Sequence, residues 1–112
     1  MIEVALHRVA HSRAGDKGNR LNMSLIPYRP ELYAIIAEQV TAERVLGLFT
    51  HRGATTCVRH ELPLIHSFNF VVDEVLEGGV NGSLNLDGHG KTNSFRLLAL
   101  TVLVPPELLE NP

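Results

Sequence analysis

The chain has 112 residues, of which 45% are apolar and 20% charged, and its formal net charge is −2. This composition is typical of a globular protein, and the length fits a single domain over residues 1–112. The slightly acidic balance argues against a general nucleic-acid binder, and no apolar run is long enough to span a membrane. A single cysteine, Cys57, excludes an internal disulfide, and the first residues lack an export-signal pattern, so we expect a cytoplasmic protein.

The first third of the chain predicts two strands and a helical region. The strands are expected over Glu3–Ala10 and Leu21–Ile26, joined by a polar loop that contains glycine. Pro30 suits the first turn of a helix, and Thr41 suits the N-cap of a second helical segment. The apolar residues at helical spacing after Pro30 are Leu32, Ile35, Ile36 and Val40. The pattern is compatible with one bent helix or with two helices.

The remaining elements are predicted from composition and periodicity. A strand is expected over Ala54–Leu62, ending at Pro63. Ser67 is then a candidate N-cap: β-branched and aromatic residues favour a strand after it, but the helical spacing favours a helix, and we follow the spacing. The residues at that spacing are Phe68, Val71, Val72 and Val75. Strands are predicted over Val80–Leu86 and Phe95–Val104.

This order of elements predicts an α+β fold: a two-layer sandwich of a mainly antiparallel sheet with helices on one face, close to the ferredoxin-like topologies. The last predicted strand, Phe95–Val104, is apolar on both faces. A single layer of helices covers only one of those faces. We therefore expect a second copy of the chain or a partner domain to cover the other.

The segment from His11 to Asn19 is the strongest chemical signal, because it combines an imidazole, two cations, a carboxylate and two glycines. Backbone N–H groups in such a turn can form an anion-binding nest, with Arg13 and Lys17 as charged partners. His11 could act there as an acid or base. The alternative is a solvated hairpin loop. The candidate binding residues in this segment are Ser12, Arg13, Gly15, Asp16, Lys17, Gly18 and Asn19.

A second glycine-rich segment, residues 85–92, departs from the phosphate-binding pattern G-x-x-x-x-G-K-[ST] because Asn85 replaces its first glycine. That motif also requires a following helix, whereas a strand is predicted here, so we reject a nucleotide triphosphatase. A turn that offers Lys91 and His89 to an anion is one interpretation, and a simple tight hairpin is the other. Asp87, in this segment, and Asn69, in the predicted helix before it, complete the candidate residues.

The six histidines and Cys57 show no metal-ligand spacing, so the sequence predicts no metal site and no cofactor. Cys57 has no neighbouring thiol, and a half-buried cysteine in a strand is the simplest interpretation of it.

Two strings, AHSRAGDKGNRLNMSL and NFVVDEVLEGGVNGSLNLDGHGKT, resemble the small AtuA-like domain of acyclic terpene utilisation proteins. The resemblance extends from about Val4 to Val104 and implies a ferredoxin-like fold. In that family the domain follows a much larger domain or is encoded as a separate protein, and members are linked to catabolism of branched terpenoids through acyl-CoA thioesters. The matching positions are His11, Ser12, Arg13, Gly15, Asp16, Lys17, Gly18, Asn19, Asn22, Asn69, Gly78, Gly79, Asp87, Gly90, Lys91 and Thr92.

Three functional hypotheses follow. The first is a partner-dependent module in the catabolism of acyclic terpenoid or branched acyl-CoA compounds, which binds a carboxylate or an acyl-CoA, or docks onto the large AtuA-type subunit. The second is a small stand-alone enzyme acting on a carbonyl or thioester with His11 as the acid or base. The third is a structural oligomerisation module. Homo-oligomers are expected, nucleic acid and membrane partners are not, and the sequence leaves open whether the chain is an enzyme.

Overall fold

The computed structural model describes residues 1–17, 20–50, 53–74 and 93–109. Within them, six strands form two antiparallel sheets, one of four strands and one of two. Two helices connect the third and fourth strands, and residues 93–98 are also helical. The strands are β1 (Ile2–Ala5), β2 (Ala10–Lys17), β3 (Arg20–Pro27), β4 (Thr56–Leu62), β5 (Ser67–Asp73) and β6 (Thr101–Val104), and the helices are α1 (Leu32–Gln39) and α2 (Ala42–Gly47).

The four-stranded sheet has the order β2-β3-β5-β4, and each neighbouring pair is antiparallel. Successive side chains in a strand point to opposite faces, so alternate residues belong to the core. The residues of the two central strands that face the helices are almost fully buried: Leu21, Met23, Leu25, Phe68, Phe70 and Val72. The helix α1 contacts β3, and α2 contacts β4 and β5. The helices therefore cover one face of this sheet.

The helical region consists of two helices, which resolves the alternative that the sequence left open. The break lies at Val40, whose backbone leaves the helical conformation with φ −99° and ψ 81°. The predicted N-cap at Thr41 is confirmed, because its hydroxyl oxygen accepts a hydrogen bond of 3.2 Å from the Arg44 N–H. Arg59 of β4 donates to the carbonyls of Ala37 (2.6 Å) and Val40 (3.0 Å), so it holds the end of α1 against the sheet.

The two-stranded sheet joins the start of the chain to its final strand, with Val4 opposite Val102. Side chains from the helical region bond to the backbone of β6. The Gln39 amide donates to the Leu103 carbonyl (2.8 Å) and accepts from the Leu103 N–H (2.7 Å), while Arg44 donates to the Thr101 carbonyl (3.0 Å). These bonds satisfy polar groups that an edge strand otherwise leaves to water or to another strand.

Three sequence predictions about local structure are wrong. The segment expected as a loop after Ala10 continues as β2 up to Lys17 and pairs with β3 along its whole length. The predicted strand over Glu3–Ala10 is instead β1, a 3-10 turn over Leu6–Arg8 and the first residue of β2. The segment after Ser67, where a helix was expected, is the strand β5. Phe68, Phe70 and Val72 are buried in the core and alternate with less buried residues, as in a strand.

The long final strand predicted over Phe95–Val104 is also wrong. Residues 93–98 are helical, and only Thr101–Val104 form a strand. In that strand Val102 and Val104 are buried and Leu103 is exposed, so the doubly apolar strand that suggested a covering partner does not exist. The strand predicted over Val80–Leu86 lies outside the described residues.

The predicted fold class is nevertheless confirmed: the chain is an α+β sandwich built on antiparallel sheets with helices on one face of the larger sheet. The strands predicted over Leu21–Ile26 and Ala54–Leu62 correspond to β3 and β4. In the described part of the chain, no helix has the length and apolar character needed to cross a membrane.

Candidate functional site

The face of the four-stranded sheet turned away from the helices is the candidate site, and we call it the open face. It carries the strand residues that alternate with the core positions. His11 and Arg13 of β2, Asn22 of β3, and His60 of β4 are exposed there. Val58, on the same face, is 49% exposed. These side chains are exposed, and no element among the described residues covers them.

One cross-strand row on the open face contains four polar side chains, and we call it the Arg13 row. Arg13 is opposite Ser24, Ser24 is opposite Asn69, and Asn69 is opposite His60. Neighbouring strands lie about 4.8 Å apart, so Arg13 and Asn69 are about 10 Å apart across the sheet. Two residues predicted as site residues from distant parts of the sequence therefore share one row.

Ser24 fixes the strand position that carries Arg13. Its hydroxyl oxygen lies 3.1 Å from the Arg13 backbone N–H, from which it accepts, and 3.4 Å from the Arg13 carbonyl, to which it donates. The Arg13 side chain itself is exposed and makes no ion pair within the described residues. The guanidinium is thus a cation on a fixed strand, in the same row as the Ser24 hydroxyl, the Asn69 amide and the His60 imidazole.

The end of the open face nearest residue 20 carries an ion pair. Arg20 Nε lies 2.7 Å from Asp73 Oδ1, and Thr56 donates to the other carboxylate oxygen at 3.4 Å. The hydrogen bond from Arg20 lowers the pKa of the Asp73 carboxyl below its usual value. The positive charge of Arg20 is thereby matched by a carboxylate, whereas that of Arg13 is not matched within the described residues.

His11 lies on the open face two residues before Arg13. Its ring stacks on Tyr28, with a centroid distance of 5.5 Å and an interplanar angle of 25°. In the part of the chain that the structure describes, no side-chain hydrogen bond orients this imidazole. A general acid or base normally needs such an orienting group. The hypothesis that His11 acts as a catalytic acid or base therefore stays a prediction.

The anion-binding nest predicted around Gly15 is not formed at that residue. Gly15 lies in the β2 ladder opposite Asn22, and successive N–H groups of a strand point in opposite directions. A Cβ atom placed on Gly15 would meet no atom within 4 Å, and Gly15 is not among the residues with positive φ. The glycine is therefore not required by the backbone conformation here.

The other predicted site residues divide into two groups. Ser12 is opposite Leu25, and its hydroxyl oxygen is buried on the helix-covered side, away from Arg13. Asp16 is opposite Leu21 and Lys17 opposite Arg20 in the register. The remaining predicted site residues lie outside the described residues: Gly18, Asn19, Asp87 and Lys91.

Ser24 and His60 are members of the Arg13 row that sequence reasoning missed. Neither belongs to a motif, and His60 lies in a predicted strand with no ligand spacing. Strand register alone brings them beside Arg13 and Asn69. Ser24 alternates with buried residues of β3, but His60 lies between Arg59 and Glu61, so its place in the row is visible only once the strands are aligned.

Cys57 is half-buried on the helix-covered side of β4, as the sequence predicted. Burial, together with the nearby charge of Glu43, raises the pKa of its thiol to about 11. Such a thiol is a poor nucleophile at neutral pH. Among the described residues, no three His, Cys, Asp or Glu side chains lie close enough together to hold a metal ion.

Comparison with known proteins places nearly the whole chain in one family. A family model described as the AtuA ferredoxin-like domain matches residues 4–103. This match includes all six strands except the ends of β1 and β6, and both helices. No curated protein matches the chain. No solved structure matches it either.

Proposed function

The chain belongs to the AtuA ferredoxin-like domain family, and we propose that it is a partner-dependent binding module for an anionic small molecule, held on the open face of its sheet. The ligand class is a carboxylate or an acyl-CoA thioester. The proposed setting is the catabolism of acyclic terpenoid or branched acyl-CoA compounds, together with a larger AtuA-type subunit.

The Arg13 row is the observation that carries this proposal. An arginine guanidinium presents several N–H donors in a planar fork that matches carboxylate and phosphate oxygens. The Asn69 amide and the His60 imidazole add donors in the same row. Ser24 bonds to the backbone of Arg13, so we assign it a positioning role.

The charge of the open face supports an anionic ligand. The chain as a whole has a net charge of −2. The described side chains of the open face include Arg13 and Arg20 but a single carboxylate, Asp73, which pairs with Arg20 at 2.7 Å. The resulting local excess of positive charge would attract an anion and would weaken as salt is added.

The extended shape of the row favours a ligand larger than a single inorganic ion. Four strands about 4.8 Å apart give a strip of donors about 14 Å long. An acyl-CoA carries several phosphate groups along such a length, together with an apolar acyl chain. Beside the row, Ile26 and Val71 are half-buried and Val58 is exposed, so apolar surface adjoins the donors.

The test is calorimetric titration of the protein with coenzyme A and with an acyl-CoA. A charge-assisted hydrogen bond contributes about 1.5–3 kcal/mol, so Arg13→Ala should weaken binding about 10- to 100-fold. Arg13→Lys should fall between the two, since a lysine keeps the charge but not the planar fork.

Arg8→Ala is the matched control, because it removes an exposed arginine that lies in the turn before β2 rather than on the open face. Its affinity should equal that of the wild type. Equal affinities of Arg13→Ala and the wild type would refute the assigned site, and absence of binding to either ligand would refute the ligand class.

The larger subunit is tested by co-purification with the wild-type domain. Asn22 is exposed near the middle of the open face, so Asn22→Arg should prevent association by placing a long charged side chain in the contact. Glu38→Arg, which adds an arginine to the exposed surface of α1, should leave it unchanged. If both variants associate like the wild type, the open face is not the docking surface.

A further inference from the structure

The strand β4 is the outermost strand of the four-stranded sheet on the side opposite β2, within the described residues. An edge strand presents backbone N–H and C=O groups that can pair with another strand. β4 and the turn that follows it also expose apolar side chains: Val58 is 49% exposed, Leu62 40%, Leu64 96% and Ile65 66%. Among the described residues, this edge therefore combines backbone groups that pair with no other strand and apolar surface.

We propose that β4 pairs antiparallel with β4 of a second copy, with the two-fold axis at His60, midway between the two facing copies of that residue. In this register Val58 lies opposite Leu62 of the second copy on the open face. Arg59 lies opposite Glu61 of the second copy on the helix-covered face. Each apolar residue thus meets an apolar residue, and each charge meets its opposite.

Charge complementarity selects this axis over its neighbours. A two-fold axis perpendicular to the sheet keeps both open faces on the same side. Such an axis must lie midway between two copies of one residue, which then face each other. An axis through Arg59 would place two arginines opposite each other, and an axis through Glu61 would place two glutamates opposite each other. Like charges directly opposite each other destabilise strand pairing, whereas opposite charges stabilise it.

The side chains that would meet are already held in place. Arg59 Nη2 lies 2.8 Å from Glu61 Oε2 within the chain, and Arg59 Nη1 is fixed by the carbonyl oxygens of Ala37 and Val40. Two such Arg59–Glu61 pairs side by side form a network of four alternating charges. Little conformational freedom of Arg59 remains to be lost on association.

The dimer would have one continuous eight-stranded sheet with both open faces on the same side. His60 belongs to the Arg13 row, but this inference does not depend on the anion-binding proposal, because association uses the place of His60 at the sheet edge and not the binding of a ligand. Pairing ends on each side at Pro63, which has no N–H to donate. The apolar Leu64 and Ile65 of each copy would lie beside the start of the other copy's β4.

The first test uses charge at the axis and light scattering after size exclusion. His60 is exposed, so His60→Lys and His60→Glu should both fold. Each variant alone should be monomeric, since two like charges then meet at the axis, and an equal mixture should restore a dimer. His7→Lys, at an exposed histidine of the turn before β2, is the control and should remain dimeric like the wild type.

The second test measures the register directly by oxidation and a non-reducing gel. Facing residues of antiparallel strands have Cα atoms about 4.5–5.5 Å apart, which suits a disulfide. His60→Cys should therefore form a cross-linked dimer, whereas Val58→Cys should not, since its counterpart lies four residues away along the strand. A monomeric wild type, or a dimer that persists in both His60 charge variants, would overturn the proposal.

Discussion

Replacing Gln39 with leucine tests how the fold closes the edge of β6. The Gln39 side chain makes two hydrogen bonds to the Leu103 backbone, one of 2.8 Å as donor and one of 2.7 Å as acceptor. Each such bond contributes about 0.5–1.5 kcal/mol net, so both together are worth about 1–3 kcal/mol. Leu103 is 49% exposed, so water can replace part of this bonding. We therefore expect Gln39→Leu to lower the free energy of unfolding by about 1–2 kcal/mol.

Urea denaturation followed by circular dichroism measures this loss, and two further variants make it specific. Gln39→Glu keeps an acceptor for the Leu103 N–H but cannot donate to its carbonyl at neutral pH, so its loss should be at least that of one hydrogen bond. Glu38→Leu changes an exposed neighbour on the same helix and should stay within about 0.5 kcal/mol of the wild type. A Gln39→Leu variant as stable as the Glu38→Leu control would refute the bonding assigned to this edge.

Two other predictions concern single positions in the four-stranded sheet. Gly15→Ala should raise the free energy of unfolding by about 0.4–1 kcal/mol in the same denaturation assay, because the added Cβ meets no atom within 4 Å and restricts the unfolded chain; a clear loss would show that the glycine is needed. Cys57 should react with iodoacetamide about a hundredfold more slowly than a free thiol at neutral pH, since its pKa is raised to about 11. The fold disfavours the thiolate, so the free energy of unfolding should fall as the pH rises above about 9 toward 11. Rapid alkylation of the native protein at neutral pH would contradict the burial of Cys57.

The elements with strong local signals were predictable from the sequence. The apolar spacing after Pro30 and the capping hydroxyl of Thr41 place α1 and α2 correctly, because each depends on interactions within a few residues. Pro63 likewise marks the end of β4, since it cannot continue a strand ladder.

The errors arose where tertiary position decides the structure. As an outer strand, β2 needs few apolar residues, so its polar sequence resembles a loop. In β5, Val71 lies at a helical spacing from the other apolar residues, but its β-branched side chain is also typical of a strand. The segment forms a strand because it pairs with a neighbouring strand on each side. Residues 93–98 contain Phe95, Leu97 and Leu98 shortly before β6, so their sequence resembles a continuation of that strand, whereas in the structure they are helical with Leu97 buried in the core.

The candidate site was predicted in part, and its geometry was not. Arg13 and Asn69 were identified as site residues from separate strings, but their common row depends on the register of three strands. Ser24 and His60 have no distinguishing sequence context, so only the aligned sheet reveals them. The predicted glycine nest is not formed at Gly15, which lies within a ladder rather than a turn, and Gly18 lies outside the described residues.

The most direct test of the account is a nitrogen-15 heteronuclear NMR titration of the protein with coenzyme A. We predict the largest chemical-shift changes at backbone amides of β2, β3 and β5 around Arg13, Ser24 and Asn69. Changes in α1 and α2 should be small, and the changes in the sheet should be lost in Arg13→Ala. Shift changes that concentrate in the helices, or that persist unchanged in Arg13→Ala, would contradict the assignment of the open face as the anion-binding surface.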